Sequence, residues 1–348
     1  MPQRDSCVLS LNWKVGIIGH LLKRLPSPPA KAYIHIMIDL LPGYRLGHAH
    51  DSTVKTGVTV ILPDAPATAS VDVRGGGPGT REISALQDGG LIEQVHAVVL
   101  AGGSVYGLAA ADAVTTWLGA QRIGYEPGPE PIPVSPIVPS AILFDNANGG
   151  DKIWGTEPPY RGLALDACEA AARQSDEGAV GAGHGATAGL YPGGLGIASE
   201  TVDGLTVQAV IAANPVGSPF LPGTQCPYAW LYEKENEFGG IRPPQDFVWS
   251  SPKDTKLTFL KSAGQSTVIG AVLTNADLTQ KQLKRLAIMA QDGITIAVQP
   301  AHTPLDGDTI FALSLGDQPC ERPVDLSELG AAAARVTARA LTRGVLAV

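Results

Sequence analysis

Gly264-Gln265-Ser266-Thr267-Val268-Ile269-Gly270-Ala271-Val272-Leu273-Thr274-Asn275-Ala276 is the stretch on which the fold turns. Ser266–Thr274 is short and apolar, carries β-branched residues, and reads as a strand. With no polar side, such a strand needs cover on both faces, and that calls for sheets sandwiched between helices. Two hydroxyls, Ser266 and Thr267, open it after the turn-like Ser262-Ala263-Gly264. On the residues alone, the simpler reading is an ordinary strand with a polar first residue.

Working outward, Thr279 can cap a helix from Gln280 to about Gln291, with Leu283, Leu286, Ala287 and Ala290 at helical spacing. Ile294–Val298 and Thr309–Leu315 read as strands. Asp325 with Glu328 is a capping-box signature for a last helix to about Leu341. Upstream, Val58–Leu62, Val95–Leu100 and Ala141–Phe144 read as strands, and Leu205–Ala213 alternates in part until Asn214-Pro215 stops the ladder. Ala101-Gly102-Gly103-Ser104 turns the second of them into a helix over Tyr106–Leu118, and Tyr160–Gln174 is another helix. Gly178–Gly196 is dense in glycine and predicts turns around whatever site the protein has. The pattern is α+β, without a repeat.

Composition narrows the function. The 348 residues carry a formal net charge of −8, with 44% apolar and 17% charged residues, the balance of a globular enzyme. No basic face is dense enough for nucleic acid, which needs clustered cations. No run approaches the ~20 apolar residues of a membrane span. Cys7, Cys168, Cys226 and Cys320 are scattered and form no CxxC pair, so they read as free thiols in a reducing, cytoplasmic setting. Residues 1–36 are basic and aperiodic, of a different texture, and read either as an N-terminal extension or as the product of a wrongly chosen start codon. Met37-Ile38-Asp39-Leu40-Leu41-Pro42-Gly43 reads like the start of a single domain over 37–348.

Several tempting sites lack parts. Arg74-Gly75-Gly76-Gly77-Pro78-Gly79-Thr80-Arg81 has no GK[ST] ending, so a turn, or backbone approaching a substrate, is expected instead of a phosphate loop. His48-Ala49-His50 would put two imidazoles on one strand face but has no third ligand nearby. There is no GxSxG elbow. Neither a metal nor a cofactor is expected.

Eight motifs in order change the weight of Ser266. They are Gly43–Gly47, Val73-Arg74-Gly75-Gly76, Leu100–Leu108, Ile137-Val138-Pro139, Gly181-Ala182-Gly183, Asn214-Pro215-Val216-Gly217, the Ser266 segment, and Asp306-Gly307-Asp308-Thr309. With them the chain resembles, from about Met37 to its end, the L-aminopeptidase/D-esterase family, which also holds β-aminopeptidases and nylon-oligomer endo-hydrolases. The resemblance implies an α-β-β-α sandwich and a chain that cuts itself before a Ser or Thr heading a central strand. Here that residue is Ser266 and the leaving carbonyl belongs to Gln265, giving fragments 37–265 and 266–348.

The same resemblance implies an acyl-Ser266 mechanism on small peptides or amides, with Asn214 as an oxyanion donor and Tyr106 lining the pocket. Gly102, Gly103 and Ser104 would border the substrate, and Asp306 and Asp308 would hold the nucleophile's amine. A homo-oligomer of processed units is implied too. The chemistry is coherent, because a serine hydroxyl needs a base and a freed α-amine of pKa about 7.7–8 can be one. In two places the pattern breaks. Many relatives carry Lys soon after Gly-Ala-Gly, but no lysine is near Gly189-Leu190 in the sequence, and Ser104 offers no carboxylate beside Tyr106. Exo- versus endo-cleavage therefore stays open, as do an acyltransferase of the ornithine acetyltransferase type and a non-catalytic scaffold.

Overall fold

Eleven strands of this chain are long or central enough to matter, and their sequences explain the layer each one occupies. The computed structural model describes residues 37–87, 89–258 and 266–348; the extension 1–36 and Gln265 lie outside them. The strands are β1 (Tyr44–Asp51), β2 (Thr56–Pro63), β3 (Ala67–Val73), β4 (Thr80–Arg81), β5 (Gln94–Val95), β6 (Val98–Ala101), β7 (Ser140–Ile142), β8 (Leu195–Val202), β9 (Leu205–Asn214), β10 (Thr267–Asp277) and β11 (Thr309–Pro319). The helices are α1 (Ala109–Ala120), α2 (Tyr160–Glu169), α3 (Gln280–Ala297) and α4 (Pro323–Leu346).

The strands form a five-stranded sheet in the order β1-β2-β6-β7-β4 and a six-stranded one in the order β8-β9-β10-β11-β3-β5. Three buried clusters define three interlayer spaces. Val60, Val99, Val114 and Leu163 pack α1 and α2 on the first sheet. Leu46, Leu100, Ile269 and Phe311 fill the gap between sheets. Val272, Leu286, Ile294 and Val336 pack α3 and α4 on the second sheet. This is the α-β-β-α sandwich the resemblance implies. β10 is buried from Thr267 to Thr274, as a strand with apolar residues on both faces must be.

Local readings differ from the outcome in instructive ways. Val95–Leu100 is one apolar run but serves two sheets: Val95 pairs with Ala67, whereas Val98–Ala101 pair with β2. Ile294–Val298 is not a strand, because α3 continues to Ala297 and Ile294 and Ala297 extend the buried face of Leu283, Leu286, Ala287 and Ala290. Gly293 lets α4 press against this turn; a Cβ there would lie 2.2 Å from the Ala334 carbonyl. The Thr279 cap is formed, with Gln282 closing the capping box. Asp325 caps nothing, since Pro323 starts α4 and Asp325 sits in its first turn, bonded to Arg322 at 3.0 Å. The helix at Tyr106 begins as a tight 3-10 turn over Ser104–Leu108 before α1. The Tyr160 helix stops at Glu169, which frees Gln174 to pair with Asp39.

Polar links tie α4 to the far side of the chain. Arg335 meets Glu200, Arg339 meets Glu237 at 2.5 Å, and Arg343 bridges Glu237 at 3.0 Å and Glu177 at 2.6 Å. Burial alone would raise the Glu237 carboxyl, but the bonds from Arg339 and then Arg343 prevail and hold it below the ordinary range.

Candidate active site

The register of the six-stranded sheet gathers one row of residues at one end. Asn214, last in β9, pairs with Thr267, first in β10. Ser266 makes a parallel bridge to Asp306 just ahead of β11, and the Gly307 N–H donates to the Ser266 carbonyl at 3.1 Å. Ser266, Asn214, Asp306 and Asp308 are therefore neighbours through backbone pairing, and all four are buried. The Ser266 Oγ is enclosed and has no hydrogen-bond partner among the described residues. A buried hydroxyl left without a partner costs about 1–3 kcal/mol, so its persistence calls for a reason.

Both carboxylates organise loops. Asp306 accepts from the Val216 N–H at 3.0 Å with one oxygen, and from the Thr303 N–H at 2.9 Å and hydroxyl at 2.6 Å with the other. Asp308 accepts from the Val268 N–H at 2.7 Å and faces His302 Nδ1 at 2.7 Å. Burial pushes the Asp308 carboxyl up; the His302 bond opposes this and the nearby Asp306 charge adds to it. The glycine run Gly75–Gly77 wraps this turn, with Gly77 N–H on the Asp306 carbonyl at 2.8 Å. Gly75 has φ +87 and a Cβ there would lie 2.4 Å from the Asp306 carbonyl, so the run is a close backbone approach to the site.

Asn214 has a fixed orientation. Its Oδ1 accepts from the Thr187 N–H at 2.9 Å and its Nδ2 donates to the Phe144 carbonyl at 3.0 Å. A backbone N–H and a backbone C=O leave no room for a flipped amide. An amide nitrogen carries two protons, and among the described residues only Phe144 takes one.

Two residues here escaped the sequence reading. Lys256 sets its Nζ 3.0 Å from Asn214 Oδ1 and 3.2 Å from the Asn214 carbonyl. Burial draws this amine down to about 7, against the support of the Asp306 charge. No motif marks Lys256; the only hint was that a lysine was missing elsewhere. His302, held at φ +53, presses Nδ1 on Asp308 and keeps an enclosed Nε2 without a partner among the described residues. Its positive φ is invisible in sequence.

The remaining expected residues lie on the other sheet. Gly103 N–H donates to Asp145 at 2.8 Å, Ser104 N–H to the Leu143 carbonyl at 2.9 Å, and Asn146 to the Gly103 carbonyl at 3.2 Å. Phe144, between them, carries the carbonyl that Asn214 binds. Leu143–Asn146 thus joins the Gly102–Ser104 loop to the buried row of Ser266, Asn214, Asp306 and Asp308 at one remove. Tyr106 is 51% exposed, stands edge-on to Trp154 at 5.4 Å, and hydrogen-bonds none of the four buried residues. The carboxylate absent at Ser104 has a spatial counterpart in Asp145, buried under Gly102 and bonded to Thr56 at 2.6 Å. His48 and His50 part company: His48 is held by Thr59 and Ser175, while His50 stacks on His184 at 4.2 Å.

The profile of peptidase family S58 matches residues 37–348. The chain belongs to peptidase family S58. An uncharacterized aminopeptidase of Mycobacterium tuberculosis is 38% identical over 324 residues, covering 87% of this chain and 92% of that one. A 6-aminohexanoate-oligomer endohydrolase of Kocuria sp. is 29% identical over 314 residues, covering 88% and 81%. The L-aminopeptidase D-Ala-esterase/amidase of Ochrobactrum anthropi has the same fold, with TM-score 0.63 at 21% identity over 91% of this chain and 88% of that one. A Burkholderia sp. β-aminopeptidase superposes with TM-score 0.62 at 19% identity, over 90% and 88%. Membership in S58 makes the chain a hydrolase of peptide or amide bonds, and the expected family and sandwich both hold.

Proposed function

We propose that this S58 peptidase cuts its own chain between Gln265 and Ser266 and then hydrolyses amide, peptide or ester bonds of small substrates through an acyl-Ser266 intermediate. The observation that carries the reading is the enclosed Ser266 Oγ at the head of the central strand, without a partner among the described residues and flanked by Asn214 and the Asp306–Asp308 turn. In the first step Oγ attacks the Gln265 carbonyl, the Gln265–Ser266 C–N bond breaks, and the Ser266 amine receives a proton. Water then hydrolyses the ester. The freed α-amine, with an ordinary pKa of about 7.7–8, thereafter serves as base for the same hydroxyl.

Each tetrahedral stage places negative charge on oxygen, and Asn214, braced from three sides, is the fixed donor suited to it. Asp306 and Asp308 hold the loops that surround the new amine. Gly102–Ser104 and Tyr106 form the outer, substrate-facing part. Related proteins named as an aminopeptidase and an oligomer endohydrolase support a C–N bond as the target. Free, buried Cys168, Cys226 and Cys320 support a reducing, cytoplasmic location. No helix of the described residues is long and apolar enough to cross a membrane. A homo-oligomer of cut units, built on the single domain 37–348, completes the proposal.

Intact mass of the purified protein tests it. Two fragments meeting at Gln265/Ser266, replaced by one chain in Ser266→Ala, is the expected result. A folded wild-type chain that stays whole on long incubation overturns it.

A further inference from the structure

Lys256 reaches the site on a short strap of chain. The Leu190 N–H donates to the Asp254 carbonyl at 3.0 Å, the Lys256 N–H donates to the Val216 carbonyl at 3.0 Å, and the Ser218 hydroxyl donates to the Asp254 carboxylate at 2.7 Å. These bonds pin residues 254–256 between two loops that border the catalytic row, 189–190 and 214–218. Gly189 belongs to this arrangement. It has φ +56, and a Cβ there would stand 2.5 Å from the Asp254 carbonyl and 2.9 Å from that of Gly217. A side chain at 189 and a docked strap exclude one another.

Three groups meet Asn214 Oδ1: the Thr187 N–H, the Thr187 hydroxyl at 3.4 Å, and the Lys256 ammonium. Only the last can carry charge, in its protonated form, and a charge-assisted bond is about twice as strong as a neutral one. A cation on the carbonyl end of a carboxamide draws electron density from the nitrogen and makes its N–H a better donor. It also locks the side chain in one rotamer, which removes reorganisation when an oxyanion forms.

We propose that Lys256 is a positioning residue for Asn214, delivered by the 254–256 strap, and that it fixes and polarises the Asn214 amide for the oxyanion of self-cleavage and of later turnover. The assignment rests on the self-processing reading. Lys256 acts through Asn214, so its loss matters only while Asn214 is present. It belongs to the chain ahead of Ser266, so after the cut it would stay joined to the longer fragment and docked by the strap's hydrogen bonds.

The rate of self-cleavage is a readout that needs no knowledge of the substrate. Full-length Lys256→Met, Lys256→Arg, Asn214→Ala and the Asn214→Ala/Lys256→Met double variant are followed by intact mass, with melting temperature as a check on folding. Lys256→Met should cut roughly tenfold or more slowly than wild type. Lys256→Arg, which keeps the charge, should fall between the two. The double variant should be no slower than Asn214→Ala alone, as coupled residues behave. Cutting of Lys256→Met within twofold of wild type overturns the proposal, as does a double variant whose losses multiply. If Lys256→Met does not fold, Lys256→Arg carries the same cycle, and multiplying losses there overturn it equally. Failure of the underlying reading looks different: the wild type itself stays uncut.

Discussion

The two ends of the candidate site are built in opposite ways. At the head of β10, Ser266, Asn214, Asp306 and Asp308 are all within 2% exposure, and the last three are bonded to backbone on several sides. On the other sheet, the loop from Gly102 to Tyr106 ends in a ring that is half in water and touches Trp154 edge-on. Fixed donors in a water-poor place suit charge that develops during reaction, whereas an exposed aromatic suits contact with an incoming molecule. Under the proposed function, these residues divide into groups that would do chemistry and groups that would meet substrate, with Leu143–Asn146 linking them.

The comparison breaks most directly at Ser266. Ser266→Ala should abolish chain splitting and lower hydrolysis roughly 10⁴-fold or more, read by intact mass and by release from an aminoacyl anilide. A cut displaced to the bond between residues 266 and 267 would move the chemistry to Thr267. Asn214→Ala is next, with about 10²–10³ off the cleavage rate of the folded fraction and a lower melting temperature, since alanine strands the Thr187 N–H and the Phe144 carbonyl. A loss of a few-fold would place Asn214 with the supporting groups.

Losses in the buried row must also be separable from losses of the fold. Arg339→Ala removes one partner of an enclosed pair and should cost about 3 kcal/mol in denaturant unfolding while the cleavage rate of the folded fraction is kept. The same pair gives the pH dependence a sign. Glu237 is held below its ordinary value in the folded state, so its stabilisation is full above the unfolded carboxylate range. It is lost as pH falls through the lower, folded value. Melting temperature should therefore drop with acid less steeply in Arg339→Ala than in wild type. Smallest is Tyr106→Phe, where kcat should change less than about threefold and any effect should fall on KM. A loss matching Asn214→Ala would erase the division drawn above.

Much of this was legible in sequence, and the misses have physical causes. β10 and the first half of β11 announced themselves as buried apolar runs, and β9 by partial alternation up to Asn214-Pro215. Ser266, Asn214 and the Asp306–Asp308 turn sit at strand ends, where motifs have fixed offsets, so the resemblance could place them. The Ile294–Val298 run misled because a β-branched run on a buried helical face has the composition of a strand. Val95–Leu100 misled because one apolar run can cross from sheet to sheet. Lys256 stayed hidden because its partner, Asn214, is 42 residues away in the chain. Only the docking of a strap brings them together. His302 stayed hidden for a similar reason, since its value lies in a backbone angle.

The place of β10 in its sheet has a consequence for the order of events. The strand is laced to β9 on one side and β11 on the other, and Ser266 owes its position to both neighbours. Its hydroxyl has an address only once the centre of the sheet has closed, so on the proposed self-cleavage the ribbon would have to be woven before it could be snipped. A nascent chain would then be spared premature scission by geometry. Once parted, the shorter piece would remain a middle thread, removable only by unpicking the cloth on both sides.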